Sequence, residues 1–211
     1  SRQEYFLKKE NQNLTLDIKK LKDSIKSYED TEQEICIFGF TYLLYQHVVK
    51  VLKEGGLSLQ LPKNSKIAHI GGWKKLESQK VTKEQFLKDI SDVFGVEVSN
   101  IFDFYGFTEQ MGLVYVSIGD KPKTVPVYSE IIIRDFQSLE PVEDGEQGLI
   151  QILTPLPHSY PGISVLTEDV GRVTGRGKDQ TGRIGTQFEI IGRAKKAEAR
   201  GCGDIMSELV V

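Results

Sequence analysis

Several stretches of this sequence set chemically competent side chains at points where a chain of alternating strands and helices would use them. In Asp103-Phe104-Tyr105-Gly106-Phe107-Thr108-Glu109 an apolar run stops at a glycine and is followed at once by a hydroxyl and a carboxylate. Apolar strand, turn, then polar ligating groups is how an α/β sheet presents a site at the carboxyl end of a strand. A flat aromatic such as Tyr105 can stack on a base, and Gly106 lets backbone approach a ligand. The Thr108 hydroxyl can donate to a phosphate, and the Glu109 carboxylate can hold Mg²⁺. By themselves the same residues also read as a capped turn. Downstream, in Val165-Leu166-Thr167-Glu168-Asp169-Val170-Gly171-Arg172, Asp169 closes an apolar strand and stands before a glycine turn. A carboxylate so placed can accept hydrogen bonds from a ribose diol, or close an Asx-type turn.

The best nucleophile candidate is Cys202, set between Gly201 and Gly203 and preceded by Arg193, Lys195, Lys196 and Arg200. Nearby cations favour thiolate over thiol, and flanking glycines leave the sulfur sterically open; the alternative is an inert thiol. The glycine-rich basic stretch from Gly171 to Arg183 is not a phosphate-binding loop. Five residues, not four, separate Gly171 from Gly177-Lys178, and Asp179 stands where Ser or Thr is required. It reads as a solvated hairpin loop. None of His47, His69 and His158 stands at metal-ligand spacing from a Cys or Asp, which argues against structural zinc.

Elements that could position these groups follow from periodicity. Over residues 1–30, Leu14, Ile18, Leu21 and Ile25 fall on one helical face, predicting an amphipathic helix. From 31 to 112 the pattern is β-α. Ile35 to Phe38 reads as a buried strand with Cys36 as a small core residue, Thr41 to Lys53 as a helix ending at Gly55-Gly56, and Lys66 to Ile70 as a strand ending at Gly71-Gly72. Thr82 to Phe94 reads as a helix opened by a capping box, and Asn100 to Phe104 as the next strand. Alternation of this kind predicts a parallel sheet whose ligand crevice lies beyond the strand ends. Over 113–191, short strands at 113–117, 128–134, 149–154, 163–166 and 187–191 alternate with Gly, Pro and Asp turns, predicting an antiparallel β-rich subdomain. Residues 192–211 form a hinge-like tail. The fold class is therefore α/β.

Composition limits the partners. The 211 residues include 27 Lys and Arg against 30 Asp and Glu, a net charge of −3. That offers no polycationic surface for nucleic acid or anionic membrane. No apolar run approaches a membrane span, and the Lys- and Glu-rich start is no signal peptide, so the expected compartment is the cytoplasm. Cys36 and Cys202 do not form a disulfide framework.

The order of these pieces resembles a known family. Strand-Gly71-Gly72, Tyr105-Gly106-Phe107-Thr108-Glu109, Asp144-Gly145-Glu146-Gln147-Gly148-Leu149 before a strand, Thr167-Glu168-Asp169-Val170-Gly171-Arg172, then Ile191-Gly192-Arg193 is similar to the large domain of AMP-forming adenylating enzymes. The tail from Gly192 to Gly203 looks more specifically like the acyl-protein synthetases, the long-chain-fatty-acid protein ligases of bacterial luminescence systems. The resemblance covers roughly Ala68 to the C-terminus. It implies ATP and Mg²⁺ as cofactors and a fatty acid as substrate, activated as an acyl-adenylate and passed to Cys202 as a thioester. It also implies an acyl-reductase or other acyl-acceptor protein as partner. Tyr105 would stack on adenine, with Gly71, Gly72 and Gly106 lining the nucleotide. Thr108 would contact the α-phosphate or acyl carboxylate, Glu109 would hold Mg²⁺, Asp169 would bind the ribose and Arg193 would reach ribose or phosphate.

The sequence departs from the family pattern where Thr167-Glu168-Asp169 replaces the usual Thr-Gly-Asp and Lys195 replaces the hinge aspartate. It lacks an upstream pyrophosphate-gripping loop and a C-terminal lid. The expectation is thus the C-terminal portion of a longer enzyme that adenylates poorly alone. The alternatives are a ligase that acylates coenzyme A or a carrier protein, and a non-catalytic nucleotide-binding module.

Overall fold

The computed structural model describes residues 3–10, 13–29, 31, 33–73, 79–110 and 112–194. These divide into two compact units, one holding the residues up to Phe104 and Ile118–Asp120, the other Tyr105–Ser117 and the residues from Lys121 onward.

The first unit opens with an antiparallel hairpin, β1 (Leu7–Glu10) and β2 (Asn13–Leu16), followed by α1 (Ile18–Lys26). Residues 1–30 are therefore not one amphipathic helix. Leu14 belongs to a period-two pattern with Leu16 and only by coincidence stands four residues before Ile18. The helix starts at Asp17, whose carboxylate accepts the Lys20 backbone N–H at 3.0 Å and caps the first turn. Leu21 and Ile25 of the expected stripe are buried as read.

The β-α pattern holds. Strands β3 (Cys36–Phe40), β4 (Lys66–Ile70) and β5 (Ile101–Tyr105) are parallel, with Ile37 opposite Ile67 and Ile67 opposite Ile101. Between β3 and β4 run α2 (Thr41–Leu44), one wide π-helical turn (Tyr45–Val49) and α3 (Lys50–Glu54), capped at Gly55. Helix α4 (Lys83–Phe94) begins where Thr82 accepts the Gln85 N–H at 3.1 Å, as its sequence predicts, and stops at left-handed Gly95. Val49, Leu52, Ile67, Ile90, Phe94 and Ile101 fill the core. Cys36, expected in a core, is exposed instead, and Phe38 is 64% exposed. Alternate residues of a strand point to opposite faces: Ile35 and Ile37 pack on this core, and Cys36 and Phe38 point the other way.

The second unit is antiparallel. Strands β6 (Tyr115–Ile118), β7 (Lys123–Thr124), β8 (Glu130–Arg134), β9 (Gly148–Leu153), β10 (Ser164–Lys178) and β11 (Ile184–Arg193) neighbour one another in the order β6-β7-β11-β10-β9-β8. Inward Ile150 and Ile152 of β9 meet Ile131, Ile133 and Phe188. The expected short strands at 163–166 and 187–191 are parts of one long β10–β11 hairpin. The stretch read as a solvated loop is strand as far as Lys178; exposed Arg172 stands between buried Gly171 and Val173, so one face is wet and the other packed. Only residues 179–183 turn. Asp179 holds that turn by accepting from Thr124 Oγ1 at 2.5 Å, Thr181 N at 2.8 Å and Arg183 N at 3.0 Å. Burial alone would raise the Asp179 carboxyl, but these hydrogen bonds prevail and hold it far below the usual carboxylate range.

Candidate functional site

The second unit gathers Tyr105, Asp169 and Arg193 into one hydrogen-bonded cluster. Tyr105 closes β5, and its hydroxyl donates to Asp169 Oδ2 at 2.6 Å. The ring packs among Phe107, Tyr115 and Phe188 at centroid distances of 5.8, 6.0 and 6.4 Å. Burial, then the adjoining Asp169 charge and hydrogen bond, push the phenol well above the ordinary tyrosine range, so Tyr105 stays a donor to high pH. Its neighbour Tyr115 is raised to about 12, chiefly by burial.

Asp169 is aimed by an irregularity in the sheet. Leu166 pairs with Gln151 and Val170 with Leu149, so three residues of β10, Thr167 to Asp169, stand opposite Ile150 alone. Such a bulge leaves residues unpaired toward one neighbour and redirects their side chains. Thr167 compensates: its hydroxyl donates to Ile150 O at 2.8 Å and accepts the Asp169 N–H at 3.2 Å. On the other side Asp169 stays in register with Arg193 of β11, whose Nε lies 3.4 Å from Asp169 Oδ1. Arg193 Nη2 donates to Glu168 Oε2, also at 3.4 Å. The residue that departs from the expected Thr-Gly-Asp pattern thus gives Arg193 a second carboxylate, which spacing alone could not reveal.

Thr108 and Glu109 occupy a single 3₁₀ turn, Thr108–Gln110, three residues beyond Tyr105. Both are exposed, and the Thr108 hydroxyl donates to Glu109 Oε2 at 3.2 Å. Gly106, between the turn and Tyr105, is close to the Leu113 carbonyl, which an added Cβ would meet at 3.2 Å. Gly71 and Gly72 end β4 in the first unit. Gly71 is left-handed, at φ 81°, and its carbonyl accepts from Thr41 Oγ1 at 2.5 Å, while Thr41 also shares a 2.9 Å hydrogen bond with His69 Nδ1. Cys202, and Lys195 at the departure noted above, lie outside the described residues.

The donor set suits a magnesium nucleotide better than a protein-held metal. Among the described residues no three His, Cys, Asp or Glu side chains converge on one point. Mg²⁺ bound with a nucleotide takes most of its oxygens from phosphates and water and needs only one or two carboxylates, a role Glu109 fits. Asp169, with one oxygen held by Tyr105, keeps acceptor capacity for a diol.

Comparison with known proteins gives fold and family separately. Three solved structures share the fold at low sequence identity. An open conformation of 2-hydroxyisobutyryl-CoA ligase, in complex with 2-HIB-AMP and CoA, matches with TM-score 0.59 and 14% identity, over 84% of this chain and 37% of that one. A long-chain-fatty-acid-CoA ligase from Archaeoglobus fulgidus matches with TM-score 0.55 and 16% identity, over 83% and 36%. O-succinylbenzoate coenzyme A synthetase from Bacillus subtilis, in complex with ATP and magnesium ion, matches with TM-score 0.52 and 16% identity, over 85% and 35%. Two curated relatives are called long-chain-fatty-acid–luciferin-component ligase. That of Vibrio harveyi is 27% identical over 175 residues, 82% of this chain and 45% of the relative. That of Aliivibrio fischeri is 24% identical over 199 residues, 92% and 51%. The chain spans about half the length of these relatives. Because the family model described as acyl-protein synthetase, LuxE, matches residues 1–211 throughout, the chain belongs to that family.

Proposed function

We propose that this chain supplies the nucleotide-holding wall of an ATP-dependent ligase that activates a fatty carboxylic acid and passes the acyl group to Cys202. The observation that carries the reading is the Tyr105–Asp169–Arg193 cluster, linked at 2.6 and 3.4 Å, with Thr108 and Glu109 on the turn that follows. In this reading the exposed part of the Tyr105 ring stacks on adenine, and Asp169 accepts from the ribose hydroxyls. Arg193 orients ribose or phosphate. The Thr108 hydroxyl donates to the α-phosphate or the acyl carboxylate. Mg²⁺, when bound at Glu109, would neutralise phosphate charge.

A fatty carboxylate oxygen attacks the α-phosphorus of ATP. The bond from that phosphorus to the bridging oxygen of the β-phosphate breaks, and pyrophosphate leaves. Charge develops on the phosphorus oxygens, so donors aimed there matter more than an acid or base. The Cys202 thiolate then attacks the acyl carbon, and the bond to the AMP oxygen breaks, giving a thioester and AMP. The names of the curated relatives and the adenylate, ATP and magnesium in the solved ligases support this reading. A reductase or other acyl-acceptor protein would follow, since a protein thioester is an intermediate. Among the described residues no helix is long and apolar enough to cross a membrane, and the chain is proposed to act in the cytoplasm.

The test combines binding with labelling. A non-hydrolysable acyl-adenylate analogue is expected to bind the protein by calorimetry, and Asp169→Ala to weaken it about tenfold or more, the worth of a lost hydrogen bond to a charged group. Labelled fatty acid with ATP should leave a hydroxylamine-labile adduct that Cys202→Ser abolishes. No analogue binding would remove the nucleotide site; an adduct surviving in Cys202→Ser would remove the acceptor.

A further inference from the structure

Directly after Glu109 comes Gln110, a residue to which neither sequence spacing nor family pattern draws attention. Its side chain is among the most deeply buried in the protein, 1% exposed. The amide Nε2 donates to Gly162 O at 2.9 Å and lies 3.5 Å from Ile152 O, while Oε1, also buried, has no partner among the described residues. The same contact is tight on the other side. A Cβ added to Gly162 would stand 2.5 Å from Glu109 O, 2.5 Å from the Tyr160 ring and 3.1 Å from Pro157, so only glycine lets this segment lie against the turn. The segment between β9 and β10 is itself fastened at its ends, since Thr154 N donates to Ile163 O at 2.9 Å.

We propose that Gln110 is a positioning residue: through Gly162 it clamps the segment from Pro155 to Ile163 onto the 3₁₀ turn and so fixes where Thr108 and Glu109 stand. Those two side chains are exposed and bonded only to each other among the contacts described above, so their direction is set by their backbone. That backbone has few anchors. The turn is three residues long, and Gln110 N donates to Phe107 O at a lengthened 3.2 Å. The buried amide supplies the missing anchor, and a glutamine reaches two carbonyls, Gly162 and Ile152, that a shorter Asn would not. A leucine or methionine of similar volume would fill the same space and leave no acceptor unpaired. The retained unpaired Oε1 marks a position where the donor matters more than packing.

The assignment rests on the proposed nucleotide site, because it makes Gln110 serve the metal-holding end of that site and not the Tyr105–Asp169 end. Two variants test it, Gln110→Met, which removes the donor at similar volume, and Gly162→Ala, which pushes the segment off the Glu109 carbonyl. Amide hydrogen exchange, which needs no ligand, should speed up about tenfold at residues 107–113 and 155–163, while β10 and β11 are unchanged. In titrations of the intact protein, the Mg²⁺ concentration giving half-maximal ATP binding should rise about tenfold in both variants. Adenosine binding in EDTA, which involves neither Thr108 nor Glu109, should hold within about twofold. A residue that merely supports the fold would weaken both equally. Wild-type exchange and an unchanged Mg²⁺ requirement in Gln110→Met, with the wild type binding MgATP, would overturn the clamp and leave the nucleotide site standing. A wild type that binds neither MgATP nor adenosine would overturn the site itself.

Discussion

Replacing Tyr105 by Phe removes one oxygen and leaves the ring. The loss is the 2.6 Å hydrogen bond to Asp169. A hydrogen bond to an ionised group contributes about 1.5–3 kcal/mol. Asp169 is 22% exposed and keeps the Arg193 guanidinium at 3.4 Å, so water and Arg193 offset part of the loss. The low end, about 1.5 kcal/mol, is therefore expected. With a urea dependence of about 1–3 kcal/mol per molar, the unfolding midpoint should fall by about 0.5–1.5 M at pH 7. The assay is urea unfolding followed by backbone circular dichroism, with amide exchange on β10 and β11 as the local readout. The same variant should also change the alkaline limb. Tyr105 has a folded pKa raised above the ordinary value of 10.0, so its contribution is complete below pH 10 and is lost as pH rises through that value. Between there and the folded value, stability falls by up to about 1.4 kcal/mol per pH unit for this one proton. In Tyr105→Phe that slope should be shallower by one proton, with the smaller Tyr115 contribution retained. An equal midpoint at pH 7 together with parallel slopes above pH 10 would refute the hydrogen bond as a stabilising contact.

Other expectations are equally direct. Glu168→Gly removes one of the two carboxylates at Arg193; both side chains are largely exposed, so stability should move by less than about 1 kcal/mol. With Arg193 facing a phosphate as proposed, loss of a negative charge beside it should tighten MgATP binding a few-fold by calorimetry, and weaker binding would contradict that proposed role. Asp89 is buried in the first unit, where Tyr45, Lys53 and Gln85 donate to it. Although burial opposes it, these bonds hold its carboxyl below the model-compound value of 3.8. Its contribution is therefore present above that pH and lost as the pH falls below it. Because Lys53 is 50% exposed and Asn keeps one acceptor oxygen, Asp89→Asn should cost about 1–3 kcal/mol at pH 7 and flatten the acid limb, as read by thermal unfolding at several pH values. Exposed Cys36 should react with a maleimide in the folded protein, located by peptide mass mapping; protection until urea unfolds the chain would contradict the placement of β3.

Much of the fold was legible because its cues are local. The Thr82 capping box, the glycines that end α3, and apolar runs spaced by helical segments each act within a few residues and agree with one another. The misreadings arose where two periods overlap or a tertiary neighbour decides. Leu14 satisfies both a helical stripe and a strand alternation, and only the Asp17 cap shows which side it belongs to. Cys36 sits in an apolar run, yet burial depends on which face of β3 is covered, a property of the packing around it. The stretch from Gly171 to Lys178 looked like loop because glycine and charge are common there. In an antiparallel strand with one wet face, that composition is admissible wherever Val173 and its like point inward.

The site divides along the same line. Residue types gave the parts: an aromatic, a hydroxyl and two carboxylates at strand ends. Their relation is set by pairings across 64 residues between Tyr105 and Asp169 and 25 between Glu168 and Arg193, which no spacing rule reports. The decisive local event is the bulge at Thr167–Asp169. A regular strand would place Glu168 and Asp169 on opposite faces, and only the two extra residues opposite Ile150 allow both carboxylates to meet Arg193. This also accounts for Thr167, whose hydroxyl replaces the ladder bond that the bulge removes. The unusual Glu168 is then not a damaged copy of a family motif. It is a second acid on a cation already shared with Asp169, at 3.4 Å from Arg193 like the first.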